Sequence, residues 1–504
     1  MPAPPPNVLV LLSDQHSPHV LGCAGDPVVA TPHLDRLAAG GVRFGSAYCQ
    51  APLCVPSRMS FLTGQQPSAL GVWTNACFLA SDVPTFAHAL GAAGYETVLC
   101  GRMHFRGPDQ RHGFLRRTVG DVIGSHAGGP GPDFGSVPVS AAGQGRGSVE
   151  YAGPGRISYQ AYDDDVVAAT IAELGARARR PDAPPFCLVA GFVLPHCPYI
   201  CPPDLYAHYL DRVDVPALPP GYLDRLHPAM RLWRERRGVD ELSAAQVRRA
   251  RAAYYGLVTR LDRNVGRILD ALGAAGLAGN TVVVYTSDHG EMAGEHGLWW
   301  KSNLYEGAAG VPLIVSWPGR FAAGRAVAAV TSLVDVAPTL TELTGAPPLP
   351  AATGRSLVPW LTAGAGGPPD WPEEAFAEVV PGLGSPPARM VRRGRWKLIL
   401  HEGYAAPQLF DLRRDPDELI DRGSDPACAA VREELLALAR RDWSGARIEA
   451  ELRRRGAGQA VLAAWYRAQR PPDPDYWSID PQYNRFPEPL PAAPPRPAPE
   501  GPSR

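Results

Sequence analysis

A chain of 504 residues with 49 Lys and Arg against 50 Asp and Glu carries a formal net charge of −1. No overall field draws it to nucleic acid or to an anionic membrane. Its nine cysteines are odd in number and lack framework spacing, which suits free thiols in a reducing compartment better than a disulfide scaffold.

The amino terminus, MPAPPPNVLVLLSDQH, has no basic stretch, and Asp14 cuts its apolar run short. It reads as a first strand rather than a secretion signal, and no run reaches membrane-spanning length, so the expected location is the cytoplasm. Short apolar runs at 8–12, 96–99, 186–190, 281–286 and 312–315 are bounded by turn residues and predict buried parallel strands. Helical patterns lie between them, most clearly Tyr254, Leu257, Val258, Leu261, Val265, Ile268 and Leu272, whose three- and four-residue steps mark one apolar face. Residues 120–155 are Gly- and Pro-rich and predict a long surface loop over a site, and 345–372 has linker character. ARMVRRGRWKLIL then predicts a hairpin with Gly394 in its turn, QLFDL a further strand, and 426–441 a helix. The last stretch, FPEPLPAAPPRPAPEGPSR, predicts an extended or disordered tail.

The expected fold is α/β: a large, doubly wound, mainly parallel sheet flanked by helices over residues 1–370, a small α+β subdomain over 371–470, and a Pro-rich tail over 471–504. Such sheets bind ligands just past the carboxyl ends of their strands. Two strands end alike, one in Asp14 and Gln15, the other in Asp288 and His289. Each aspartate alone could cap a following helix; two such pairs at equivalent places favour a divalent cation.

Cys54 alone would be ordinary, since most cysteines pack as small hydrophobes. The stretch Cys54-Val55-Pro56-Ser57-Arg58 followed by Leu62-Thr63-Gly64, however, resembles the sulfatase motif, in which an enzyme oxidises the cysteine to formylglycine. The resemblance continues in order through NVLVLLSDQH, TPHLDRLAAGGVRF, GRMHF, LPHCPY, SDHGEMAGEHGLWWK and VPLIVSWPG, and RRGRWKLI is similar to the family's carboxyl-terminal subdomain. It implies an alkaline-phosphatase-like fold and hydrolysis of a sulfate ester. One hydroxyl of the hydrated aldehyde at position 54 would attack sulfur, and the other would then expel sulfate. It also implies a calcium or manganese ion held by Asp14, Gln15, Cys54, Asp288 and His289, with Arg58 steadying the hydroxyls. His104 would accept a proton from the hydrate, His196 would stand near the leaving oxygen, and Lys301 would clamp the sulfate. Partners so implied are a small sulfate ester and a formylglycine-generating enzyme.

Two departures from the family pattern bear on mechanism. Arg102 stands where lysine is usual, and a guanidinium does not give up a proton, so it is expected as an electrostatic clamp. Gln15 and His289 make the cation shell less acidic and similar to that of choline sulfatases and phosphonate monoester hydrolases. The segments around Asn75 also resemble choline sulfatases, whose quaternary ammonium would need an aromatic box with a carboxylate. Trp73, Trp299 and Glu378 are the candidates, although simple packing explains the tryptophans as well. The loop at 120–155 supplies only Phe134 and Tyr151 as aromatics, which favours a small soluble sulfate ester over choline sulfate. A phosphonate or phosphodiester hydrolase and a silent binding protein are the alternatives. The aromatics of YWSIDPQYNRFPEPL could anchor on a second copy, giving a homo-oligomer, or on the same chain.

Overall fold

A computed structural model describes residues 5–132, 134–135, 137–180, 182–362, 367–478 and 480–485. The alternation along strand β1 (Asn7–Asp14) sets the architecture: Leu9 and Leu11 point into one apolar cluster, and Val8, Val10 and Leu12 into another. A strand buried on both faces needs cover on both sides. Helices Ser158–Ala178 and Ala244–Ala274 cover the first face; Cys54–Thr63, Phe86–Ala92 and Val336–Thr344 cover the second. All seven residues of the expected apolar stripe on Ala244–Ala274 are buried.

The further strands are β2 (Val42–Tyr48), β3 (Glu96–Gly101), β4 (Arg116–Val119), β5 (Gly153–Pro154), β6 (Phe186–Pro195), β7 (Ile200–Cys201), β8 (Thr281–Ser287), β9 (Leu313–Ser316) and β10 (Arg325–Ser332). Eight form one sheet in the order β10-β2-β9-β8-β1-β6-β3-β4, while β5 and β7 pair separately. The strand expected as parallel at 312–315 is antiparallel to both β8 and β2. Its connection from β8 holds only the short helices Glu295–Gly297 and Glu306–Ala309, with no long crossover helix to return the chain in the parallel sense.

A second, antiparallel sheet follows: β11 (Glu374–Val379), β12 (Ala388–Arg393), β13 (Trp396–His401) and β14 (Gln408–Asp411), backed by helix Ala429–Arg440. Gly394 takes a φ of 54° in the expected hairpin turn. Helix Gly445–Gln469 was not foreseen, because it lacks an apolar stripe: only Gly445 and Ile448 are buried. The segment 120–155 is not a surface loop. Val122, Phe134, Val137, Ala141 and Val149 are buried in the first cluster, and their irregular spacing hid them from a periodicity argument. All nine cysteines are unbridged. Among the described residues no helix is long and apolar enough to cross a membrane. The carboxyl-terminal aromatics that are described pack on their own chain: Trp477 meets Tyr162 edge-on at 5.2 Å and stacks with Tyr483 at 6.3 Å. The Pro-rich stretch 486–504 lies outside the described residues.

Buried histidines make this fold acid-sensitive. His401 stacks on His227 at 4.6 Å and hydrogen-bonds Gln408 at 3.0 Å; burial holds its pKa at about 3, and that of His296 at about 4. In the unfolded chain both titrate near 6.5, so below that pH the unfolded state binds more protons. Their contribution to stability is intact above pH 6.5 and is lost as pH falls toward 4. Denaturant midpoints should therefore drop as the pH is lowered from 6.5, and His401→Asn should flatten that drop by up to about 1.4 kcal/mol per pH unit.

Candidate active site

Four adjacent strands deliver the polar residues at one edge of the sheet. β1 ends in Asp14, β8 runs into Asp288 and His289, β6 into His196, and β3 into Arg102 and His104. Register brings these ends level: Ser13 pairs with Ser287, Asp14 with Pro195, and Gly101 with Gly191. The last crossing is tight, since a Cβ on Gly191 would lie 1.9 Å from the Arg102 carbonyl oxygen. Cys54 opens the helix Cys54–Thr63, and its 1% exposure leaves it in the floor of the site.

The ligand atoms of Asp14, Cys54, Asp288 and His289 all lie within 4.8 Å of one another. Cys54 Sγ is 3.3 Å from His289 Nε2, 3.4 Å from Lys301 Nζ and 3.7 Å from Asp14 Oδ1. His289 Nδ1 donates to the Gly290 carbonyl at 3.0 Å, so Nε2 turns its lone pair to the cluster. Burial lowers the His289 pKa, which keeps the ring neutral. Two carboxylates and a neutral imidazole nitrogen form a donor set suited to a divalent cation.

Cations hold the carboxylates in place. Arg58 donates from Nε to Asp288 Oδ2 at 2.7 Å and from a terminal nitrogen to Asp14 Oδ2 at 3.1 Å. Arg102 donates to the same Asp14 oxygen at 2.8 Å, to Asp121 Oδ1 at 2.9 Å and to His104 Nδ1 at 2.8 Å. Burial alone would raise the Asp14 pKa, but Arg102, then His196, Lys301 and Arg58, outweigh it and hold the carboxyl well below its ordinary range. His104 is pushed well down by burial and by Arg102. A guanidinium only donates, so His104 Nδ1 accepts and its neutral ring carries the proton on Nε2. The ring therefore presents a donor, where the sequence had led us to expect a proton acceptor. His196 is the half-exposed member; its Nδ1 donates to the Cys197 carbonyl at 2.5 Å, leaving Nε2 as the basic nitrogen.

Two residues that motif spacing did not single out set the geometry. Glu291 is fully buried and accepts from Tyr199 Oη at 2.7 Å, from the Ala293 and Trp300 amides at 2.7 and 2.6 Å, and from Gln15 Nε2 at 2.5 Å. It thereby points Gln15 Oε1 at Lys301 Nζ, 2.6 Å away. Asp121 supports Arg102 and also accepts the His104 amide at 2.8 Å. The backbone is strained here as well: Gln15, His104, Trp300 and Ser302 all take left-handed φ values, of 72°, 59°, 57° and 62°. Such conformations cost about 1–2 kcal/mol each for residues other than glycine, and they cluster where a side chain must be aimed.

Asn75 sits beside Cys54, its Oδ1 accepting the Val55 amide at 3.0 Å. The other substrate candidates are engaged elsewhere. Trp73 donates to Ser68 Oγ at 3.2 Å and carries the Arg455 guanidinium over its ring at 5.4 Å. Glu378 accepts the amide and the hydroxyl of Ser68, at 2.7 and 2.5 Å. Trp299 is 1% exposed and packs on Tyr199. Trp299 is enclosed, while Trp73 stays partly exposed with Arg455 over its ring.

An α/β sheet with paired aspartates, a cysteine and cationic side chains at its carboxyl edge agrees with the alkaline-phosphatase-like fold that the sequence resemblance implies. The chain belongs to the sulfatase family: the sulfatase family model matches residues 6–346, and the model of the N-sulphoglucosamine sulphohydrolase carboxyl-terminal region matches 294–441. It is 35% identical to a choline-sulfatase of Rhizobium meliloti over 84% of this chain and 83% of the relative. It is 30% identical to an arylsulfatase K of Gallus gallus, over 83% and 80%. Among solved structures it is similar to the phosphonate monoester hydrolase of Agrobacterium radiobacter, with a TM-score of 0.69, 25% identity, and coverage of 87% of this chain and 96% of that one. The protein is thus a sulfatase, a hydrolase of sulfate esters.

Two substitutions probe the site. Asp14→Ala leaves Arg58, Arg102 and Lys301 crowded without their shared carboxylate, and should cost about 3–5 kcal/mol in denaturant unfolding. Glu291→Gln sets an NH2 against two of the buried donors that the carboxylate accepts and frees the Gln15 amide to turn its NH2 toward Lys301; it should lower kcat about 10- to 100-fold and cost about 1–3 kcal/mol in unfolding.

Proposed function

We propose that this sulfatase cleaves a small soluble sulfate monoester, with Cys54 oxidised to formylglycine as its nucleophile and one calcium or manganese ion held by Asp14, Gln15, Asp288 and His289. The observation that carries the reading is the convergence of Asp14, Cys54, Asp288 and His289 on one point, with Lys301 Nζ 3.4 Å from the sulfur. A hydrated aldehyde supplies two hydroxyls on one carbon, one to attack and one to release, and a divalent ion supplies charge that polarises a sulfate oxygen. This chain's own groups do the remaining work. Lys301, whose ammonium is 3.9 Å from Asp14 Oδ1, stabilises sulfate and the departing alkoxide. Arg58 and Arg102 fix the carboxylates and add positive field. His104 offers Nε2–H to an oxygen of the reacting group, and His196 Nε2, once protonated, donates to the leaving oxygen.

The Rhizobium relative acts on choline sulfate by name. Here Arg455 already places a cation over the Trp73 ring, where a quaternary ammonium would be repelled, which supports an ester without one. The fold likeness to a phosphonate monoester hydrolase motivates a second reading, in which phosphonate esters are turned over faster.

The test is peptide mass spectrometry across Cys54, on protein co-produced with a formylglycine-generating enzyme, followed by rates on a nitrophenyl sulfate and a nitrophenyl phosphonate ester. The expected result is the aldehyde mass with sulfate turnover that chelator abolishes and calcium or manganese restores. A faster phosphonate rate would establish the second reading, and turnover by the unmodified thiol would sink the formylglycine assignment.

A further inference from the structure

Asp121 is a node between two distant parts of the chain. Both its carboxylate oxygens face the active site: Oδ1 accepts from Arg102 at 2.9 Å, and Oδ2 from the His104 amide at 2.8 Å and Arg117 at 3.5 Å. Its backbone faces the other way. The Asp121 amide donates to the Asp475 carbonyl at 2.7 Å, and the Asp121 carbonyl accepts from the Trp477 amide at 2.8 Å. This two-rung ladder runs so close that a Cβ on Gly120 would lie 2.0 Å from the Asp475 oxygen.

The ladder is pinned at both ends. Asp473 Oδ2 accepts the Ser125 amide at 2.7 Å. Trp477 donates from its indole nitrogen to Asp165 at 2.9 Å and lies edge-on to Tyr162, whose hydroxyl donates to the Gly120 carbonyl at 2.6 Å. The beneficiary is a strained residue: His104 has a φ of 59°, and its amide is held by Asp121.

We propose that residues 473–477 act as a strap that sets Arg102 and His104 through Asp121, making Asp121 a positioning residue for sulfate ester hydrolysis. The assignment of Arg102 and His104 to the reaction rests on the function proposed above. The strap touches neither residue itself; it fixes the segment whose carboxylate aims one guanidinium and one imidazole. Without it, Asp121 keeps its charge but loses its fixed distance from β3, and His104 is free to leave the left-handed conformation. A misplacement of about 1 Å in such a group costs on the order of 100-fold in rate.

The experiment uses the full chain with position 54 modified, comparing Asp121→Asn, Trp477→Ala and the double variant. Turnover is expressed per formylglycine measured by mass spectrometry, and amide hydrogen exchange is followed in the peptide 101–106. Expected are a loss of about 10- to 100-fold in kcat/KM for Asp121→Asn and a smaller loss for Trp477→Ala. The double variant should be no worse than Asp121→Asn, because the strap works through that residue. Exchange at 101–106 should rise in all three while the remaining strands keep their protection. Multiplicative losses, or a Trp477→Ala variant with wild-type exchange at 101–106, would overturn the proposal. If Trp477→Ala fails to accumulate folded, Asp473→Ala replaces it, loosening only the Ser125 end. Should the wild type turn over no sulfate ester, the functional reading fails, while the exchange data still decide whether the strap orders 101–106.

Discussion

The Asp14 carboxylate is the charge on which the site turns. Its Oδ2 takes Arg58 and Arg102, while its Oδ1 faces Cys54, His289 and Lys301 at 3.6–3.9 Å. A fully buried carboxylate is costly unless it is paired and hydrogen-bonded, and here the pairing also divides labour: one oxygen is fixed by arginines so that the other can face the cluster. Everything around it follows from that demand. β1, β8, β6 and β3 have to end level, the Cys54 helix has to bring Arg58 beneath both aspartates, and Arg102 needs a second anion, Asp121, to balance it.

Three cations balance three carboxylates at the site. Arg58, Arg102 and Lys301 gather around Asp14 and Asp288, with Asp121 on the far side of Arg102. The divalent ion proposed above would tip that balance positive close to Cys54, where Lys301 stands 3.4 Å from the sulfur, and stabilise charge that moves onto oxygen as the ester bond breaks. Because the groups are held by one another, little reorganisation is required when the substrate enters.

Much of this was legible in the sequence, for physical reasons that differ from place to place. Strands buried on both faces leave continuous apolar runs, so β1, β3, β6 and β8 stood out; β2 and β10 did not, being broken by glycine, serine and exposed positions. The stripe from Tyr254 to Leu272 was plain because one helix face supplies part of the main core. Asp14, Cys54, Asp288 and His289 were found because they follow recognisable strand and motif patterns. Asp121 was missed, since nothing near it in sequence marks it and the active-site residues it holds, His104 and Arg102, are 17 and 19 residues away. The left-handed residues were invisible too: Gln15, His104, Trp300 and Ser302 are not types that advertise such a backbone, and only the surrounding contacts impose it. The aromatic candidates Trp73 and Trp299 illustrate the reverse, a residue type suited to ligands but taken up by the chain's own Arg455 and Tyr199.

The burial of Cys54 bears on the life history of the protein. Its side chain is 1% exposed, at the start of a helix whose ten residues are all buried and which packs beneath the main sheet. The oxidation proposed for this thiol requires an enzyme to reach the sulfur, and the finished fold exposes almost none of it. That oxidation would therefore precede the closing of β8 and Lys301, more than 200 residues further along, over the segment. The order of synthesis supplies an interval for it: position 54 emerges early, and a chain that folds before being altered would be sealed with an ordinary cysteine at its centre.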